Sequence, residues 1–153
     1  MEISVSQILF NLYHMAIAYA LALPIGWDRE AWSRGAGLRT FPLVALGSCA
    51  FMLVGLSVLK GYDPFARIMY GIITGIGFVG GGAILKDKGG VHGTATAASI
   101  WNTGAIGVSV AWQRYEIAVI LALINFLTLK LIPKLKSKVR MGRSDSDDNG
   151  DVE

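Results

Sequence analysis

Asp28, Glu30 and Asp87 are the residues of this chain best suited to hold a metal ion, with Arg29, Arg34, Arg39 and His92 near them in sequence. Carboxylate oxygens of this kind suit Mg²⁺, which keeps several waters and takes one or two carboxylates. Arg and carboxylate side by side also neutralise one another at helix ends without binding anything. Both readings stay open, so these three are metal candidates and no ligand is assigned. A second polar set is neutral and lies in apolar sequence: Asn11 and His14 one turn apart, Asn102 beside Thr103, and Asn125. Such groups either coordinate a solute or hydrogen-bond across helices. A third pattern, GIGFVG from Gly75, fits the G-x-G-x-x-G cradle for a dinucleotide. That cradle needs a strand before it, a helix after it and an acidic residue about 20 positions on. Here RIMYGIIT runs into the same uncharged stretch, and the next carboxylate after Asp87 is Glu116. With no Ser-His-Asp arrangement, metal-spaced histidine pair or phosphate loop, the expectation is a protein that is not an enzyme and has no nucleic-acid partner.

The elements that position these residues are set by solvent. The 153 residues are 53% hydrophobic and 16% charged, with mean hydropathy +0.50, against about a quarter charged in soluble domains. Residues 3–27, 40–59, 68–85 and 89–113 contain no Asp, Glu, Lys or Arg. Crossing the hydrocarbon takes roughly 20 apolar residues in a helix, so all four are candidate spans. Residues 117–132, interrupted by Lys130, form a shorter fifth. Charge supports this threading, because cytoplasmic loops collect Lys and Arg. Five spans with the C-terminus inside place eleven basic residues inside and three outside. The expected fold is therefore an all-α bundle of five transmembrane helices, N-terminus outside and C-terminus cytoplasmic. Trp27, Trp32, Tyr62, Trp112 and Tyr115 fall at the span ends, where amphipathic rings settle.

The N-terminus has no basic residue ahead of its apolar run and reads as a retained anchor rather than a signal peptide. The lone Cys49 excludes an internal disulfide and a cysteine metal cluster. Residues 1–133 form the membrane domain, closed by Pro133. Residues 134–153, basic and then acidic, read as a disordered cytoplasmic tail.

In a membrane span the glycines take another meaning. Gly71 and Gly75, and Gly77 and Gly81, are four apart, the small-xxx-small spacing that lets helix backbones approach. Span four repeats it with Gly93, Ala97, Ala98, Ala105 and Gly107. Spans three and four are thus expected at the centre of the bundle or at a contact between protomers. Gly80, Gly81 and Gly82 either pack closely or break the helix beside a cavity. No carboxylate lies inside the four clear spans, which leans away from a proton-coupled or cation transporter.

Several ordered motifs resemble the MgtC/SapB family of bacterial inner-membrane proteins. They are Asp28-Arg29-Glu30, Gly37-Leu38-Arg39-Thr40, Gly75-Ile76-Gly77-Phe78 with Gly80 and Gly82, and Gly93 with Thr96-Ala97-Ala98 and Trp101. The likeness covers roughly residues 20 to 130. It implies a multi-pass inner-membrane protein linked to survival in low magnesium. For virulence-linked members it also implies restraint of the F-type ATP synthase and growth inside host cells. Longer members add a soluble C-terminal domain beyond the point where this sequence stops, so roles resting on that domain are not carried over. The resulting expectation is a non-enzymatic protein that acts through helix contacts with itself or a membrane partner. Asn102 and Trp101 belong to the packing or cavity set, and Mg²⁺ is an optional ligand. The alternative is a transporter or channel for Mg²⁺ or a small solute.

Overall fold

A computed structural model describes residues 4–32, 36–88 and 90–147, without the side chains of residues 31, 32, 87 and 134–147. Among the described residues the chain forms five helices and one hairpin. The helices are α1 (Val5–Trp32), α2 (Thr40–Val58), α3 (Tyr62–Gly82), α4 (Thr94–Ala111) and α5 (Tyr115–Asp147). Between α3 and α4, β1 (Leu85–Asp87) pairs antiparallel with β2 (Gly90–His92), Leu85 opposite His92. The all-α expectation holds apart from this hairpin, which lies in a connection too short and polar to announce itself by period.

Among the described residues four helices are long and apolar enough to cross a membrane: Val5–Glu30, Thr40–Val58, Tyr62–Gly82 and Tyr115–Pro133. This makes the chain a multi-pass membrane protein. The last of them covers the span expected to be weakest, whereas α4 does not reach the same apolar character. α4 instead sits among the other helices and touches all four. Its Thr96, Ser99 and Thr103 are buried against protein, so it needs less hydrophobicity than a lipid-facing helix.

Many large apolar side chains point outward and many small ones inward, although Phe41, Ile25, Met52, Ile100 and Ile106 are fully buried. Phe51, Tyr70, Phe78, Ile120 and Leu123 are exposed, while Ala18, Ala22, Ala45, Ala111, Ala118 and Ala122 are buried. Lipid accepts the large groups as readily as a core does, so inner positions select for close approach. The tightest approach joins α2 to α4, the most extensive helix pair. A Cβ on Gly107 would overlap the carbonyl oxygen of Ala45 and stand 3.0 Å from the Cys49 nitrogen.

Two expectations change here. α3 is peripheral, with only 11% of its span window buried against 44% for α2. Gly71, Gly75, Gly77, Gly81 and Gly82 have nothing within 4 Å of a would-be Cβ; Gly80 alone of that run packs closely, 3.1 Å from the Ala97 oxygen. The glycines that centre the bundle are Gly104 and Gly107 of α4, because the helix enclosed by four neighbours needs them most. α5 also continues through Pro133 to Asp147 where an unstructured tail was expected. A proline lacks one N–H and disturbs one turn, and the Lys- and Arg-rich residues after it favour helix. Residues 148–153 lie outside the described residues.

Gly107→Val is expected to destabilise the bundle by about 3 kcal/mol, since backbone cannot move aside as a side chain can. Gly77→Val, on the open side of α3, should stay within about 0.5 kcal/mol. Reversible denaturant unfolding in mixed micelles checks both, and equal losses would contradict the assigned α2–α4 contact.

Candidate functional site

Asp28, Arg29 and Glu30 occupy the last turns of α1 rather than a separate turn after it. With 28 residues, α1 is about 42 Å long, more than the roughly 30 Å hydrocarbon, so this end can project beyond the apolar layer. Arg29 Nη2 donates to Asp28 Oδ2 at 2.9 Å, and both side chains are 12% exposed. Arg29 Nε is buried with no partner among the described residues. Glu30 Oε2 accepts the backbone N–H of Leu38 at 2.9 Å. It thereby satisfies an orphan donor just before α2 and places negative charge at that helix's positive end. Gly37 makes room for this bond, since a Cβ there would overlap the Glu30 carboxylate. Gly26 brings the two segments together, with its would-be Cβ 3.2 Å from the Gly37 oxygen. Thr40 N–H donates to the Gly37 oxygen at 3.0 Å, and Pro42, three residues into α2, has no N–H to leave unpaired. Arg39 is exposed. The family-motif residues at this end therefore form a joint between α1 and α2.

Two of the three metal candidates take part in this joint. Asp28 is engaged by Arg29 and Glu30 by a backbone amide, while the Asp87 side chain lies outside the described residues. Among the described residues no three His, Cys, Asp or Glu side chains gather at metal-binding distance. Gly93, before α4, has φ +85° and sits against the Ala83 carbonyl, closing the hairpin base.

The buried polar residues hold helices together. His14 Nδ1 lies 2.7 Å from the Phe10 carbonyl oxygen and Nε2 lies 2.9 Å from the Tyr115 hydroxyl. A carbonyl only accepts, so Nδ1 carries the proton and neutral Nε2 accepts from Tyr115, tying α1 to α5. Asn125 Nδ2 donates to the Ser99 oxygen at 3.3 Å, tying α5 to α4. Asn102 is half-buried beside the exposed Trp101, with no hydrogen bond among the described residues. Asn11 is half-buried and accepts from Gln7 at 3.4 Å.

The open side of α3 borders an apolar groove of about 640 Å³ against α2. Gly47, Gly71 and Gly75 line it beside Phe51, Ile72 and Val79. Gly71 and Gly75 thus serve as groove wall, a placement that glycine spacing alone does not distinguish from helix contact.

Two substitutions test the joints. Tyr115→Phe should cost about 1–3 kcal/mol by leaving buried Nε2 without a donor. Glu30→Ala should cost about 1 kcal/mol, the usual loss of a helix-start acceptor, with Glu30→Gln losing less because its amide oxygen still accepts. Unfolding midpoints at constant denaturant slope measure both.

Comparison with known proteins adds to this geometry. A family model described as MgtC family matches residues 15–138. The chain is 38% identical over 119 residues to the Escherichia coli (strain K12) protein named "Putative magnesium transporter YhiD", covering 72% of this chain and 55% of that protein. It is 31% identical over 137 residues to SrpB of Synechococcus elongatus, covering 81% and 75%. It is 40% identical over 94 residues to MgtC of Brucella abortus, covering 61% and 39%. The chain thus spans about half the length of YhiD and less of MgtC. No solved structure matches it. The matched region takes in the Glu30–Gly37 joint, the glycine run of α3 and the core of α4, and on this evidence the chain belongs to the MgtC family.

Proposed function

We propose that this membrane protein works without catalysing a reaction, through contacts that the open side of α3 makes with a second copy or another membrane protein. It does so in the bacterial inner membrane, N-terminus outside and C-terminus cytoplasmic, as part of adaptation to magnesium supply. The observation that carries this reading is that five glycines on α3 have no neighbour within 4 Å, with Gly71 and Gly75 one turn apart on the wall of the α2 groove and Gly77 and Gly81 one turn apart outside it. Lipid gains nothing from glycine, whereas a second helix gains close dispersion contact along it. The magnesium link rests on the family and on the name of YhiD.

A cysteine at Thr74, in a Cys49→Ser background, should crosslink to a neighbour in native membranes. Gly75→Leu or Gly81→Leu should reduce the product about tenfold, the effect of 1.4 kcal/mol of lost contact. Unchanged crosslinking in both variants would refute the reading.

The second reading is transport, favoured by the name of YhiD. It expects Mg²⁺ or solute flux in liposomes that Asn11→Ala, His14→Ala or Asp28→Ala abolishes. Absence of flux across divalent cations and small metabolites would exclude it.

A further inference from the structure

A second cavity lies at the opposite end of the bundle from Asp28, where α1 begins and α2 and α4 end. It holds about 620 Å³, within the usual range for small-ligand sites. Gln7 and Asn11 line it from one face of α1, with Ser4 just before that helix, Ser57 from α2 and Gln113 from the turn after α4, and apolar residues such as Phe10 and Leu53 complete the wall. Asn11 is 17 positions from Asp28, or about 26 Å along the helix. That is close to the hydrocarbon thickness, which sets the cavity at the other membrane boundary and within reach of water.

Three observations make this more than a gap between helices. Ser4 and, on α1, Gln7, Asn11 and His14 share a stripe that leads from the cavity to the buried His14–Tyr115 bond. Gln113 is the only non-glycine residue with positive φ among the described residues, at 58°. A left-handed glutamine costs about 1–2 kcal/mol, and here that conformation places its side chain on the cavity wall. Asn11 is half-buried and the other four polar residues are exposed; the Ser4 hydroxyl bonds that of Ser6 at 2.7 Å, and several of the remaining polar groups have no partner among the described residues. Gln7 donates weakly to Asn11 at 3.4 Å and Ser57 Oγ donates to the Val54 oxygen. Among the described residues nothing bonds the Asn11 amide N–H groups, the Gln7 carbonyl or the Gln113 side-chain amide.

We infer that this cavity binds a small neutral solute carrying both hydrogen-bond donors and acceptors, a polyol or an amide. The five polar lining residues offer amides and hydroxyls of both kinds and no ionised group. Magnesium would want carboxylates and near-octahedral oxygen ligands, which the wall does not supply. An anion would want Arg or Lys, also missing from it. The inference stands apart from the α3 reading, since the two surfaces share no residue.

The test is saturation-transfer NMR on the whole chain in lipid nanodiscs, with erythritol and urea as probes. Saturable transfer to at least one probe is expected, unaffected by excess Mg²⁺. Asn11→Leu should weaken it about tenfold or more. Gln113→Gly removes the amide while relieving the backbone, so it should weaken the signal equally with no fall in melting temperature. No saturable transfer to either probe, retention of transfer in both variants, or displacement by Mg²⁺ would each overturn the assignment.

Discussion

The approach of the α2 and α4 backbones at Ala45 and Gly107 is the contact on which the rest of the bundle depends. In lipid no hydrophobic force drives one apolar helix onto another, so association rests on dispersion at short range and on interhelical hydrogen bonds. Glycine at position 107 lets a carbonyl of α2 lie where a side chain would otherwise stand. With α4 seated there, α1, α3 and α5 each find a face of it to pack on. The inward alanines of α1 and α5 extend the same principle.

Polar bonds then set register and depth. His14 with Tyr115 and Asn125 with Ser99 tie α5 to α1 and α4. Each is worth only about 1 kcal/mol in a membrane protein, yet each is directional, so a slipped helix would leave a donor or acceptor unpaired in hydrocarbon. At the Asp28 end the Glu30–Leu38 bond performs a comparable task for the start of α2. Asp28 and Glu30 of the charged motif there are each engaged within the chain, by Arg29 and by the Leu38 amide.

α3 stands apart from this arrangement. It carries the most conspicuous glycine motif in the sequence and makes the least use of it inside the protomer. Open glycines on α3 and a core built on other glycines are compatible, because small residues serve any close helix contact, within a chain or between chains.

Much of the fold was legible in the sequence. Uncharged runs of 18 residues or more mark the helices, since burying a charge in hydrocarbon is costly, but one of them, residues 89–113, holds α4, which lacks the apolar character of a span. The residues of the α1–α2 joint, the glycine run and the start of α4 stand in the sequence as motifs in order, although the sequence does not show that the first set forms a joint. His14 and Asn125 were visible as polar residues in apolar sequence. Their partners Tyr115 and Ser99 were not, lying 101 and 26 positions away. Gln7, Ser57 and Gln113 carry no signal in the sequence, because a neutral polar residue at a helix end is ordinary boundary sequence. The sequence by itself determined the apolar, multi-helix character of this protein and its family, since these depend on composition and local order; it did not separate α4, enclosed by the other helices, from those long and apolar enough to cross a membrane. Only the tertiary structure decided which glycines touch a backbone, which face of α3 stays open and which polar side chains meet across a cavity. Those outcomes depend on how helices rotate and cross, and helical period alone leaves rotation undetermined whenever every face is apolar.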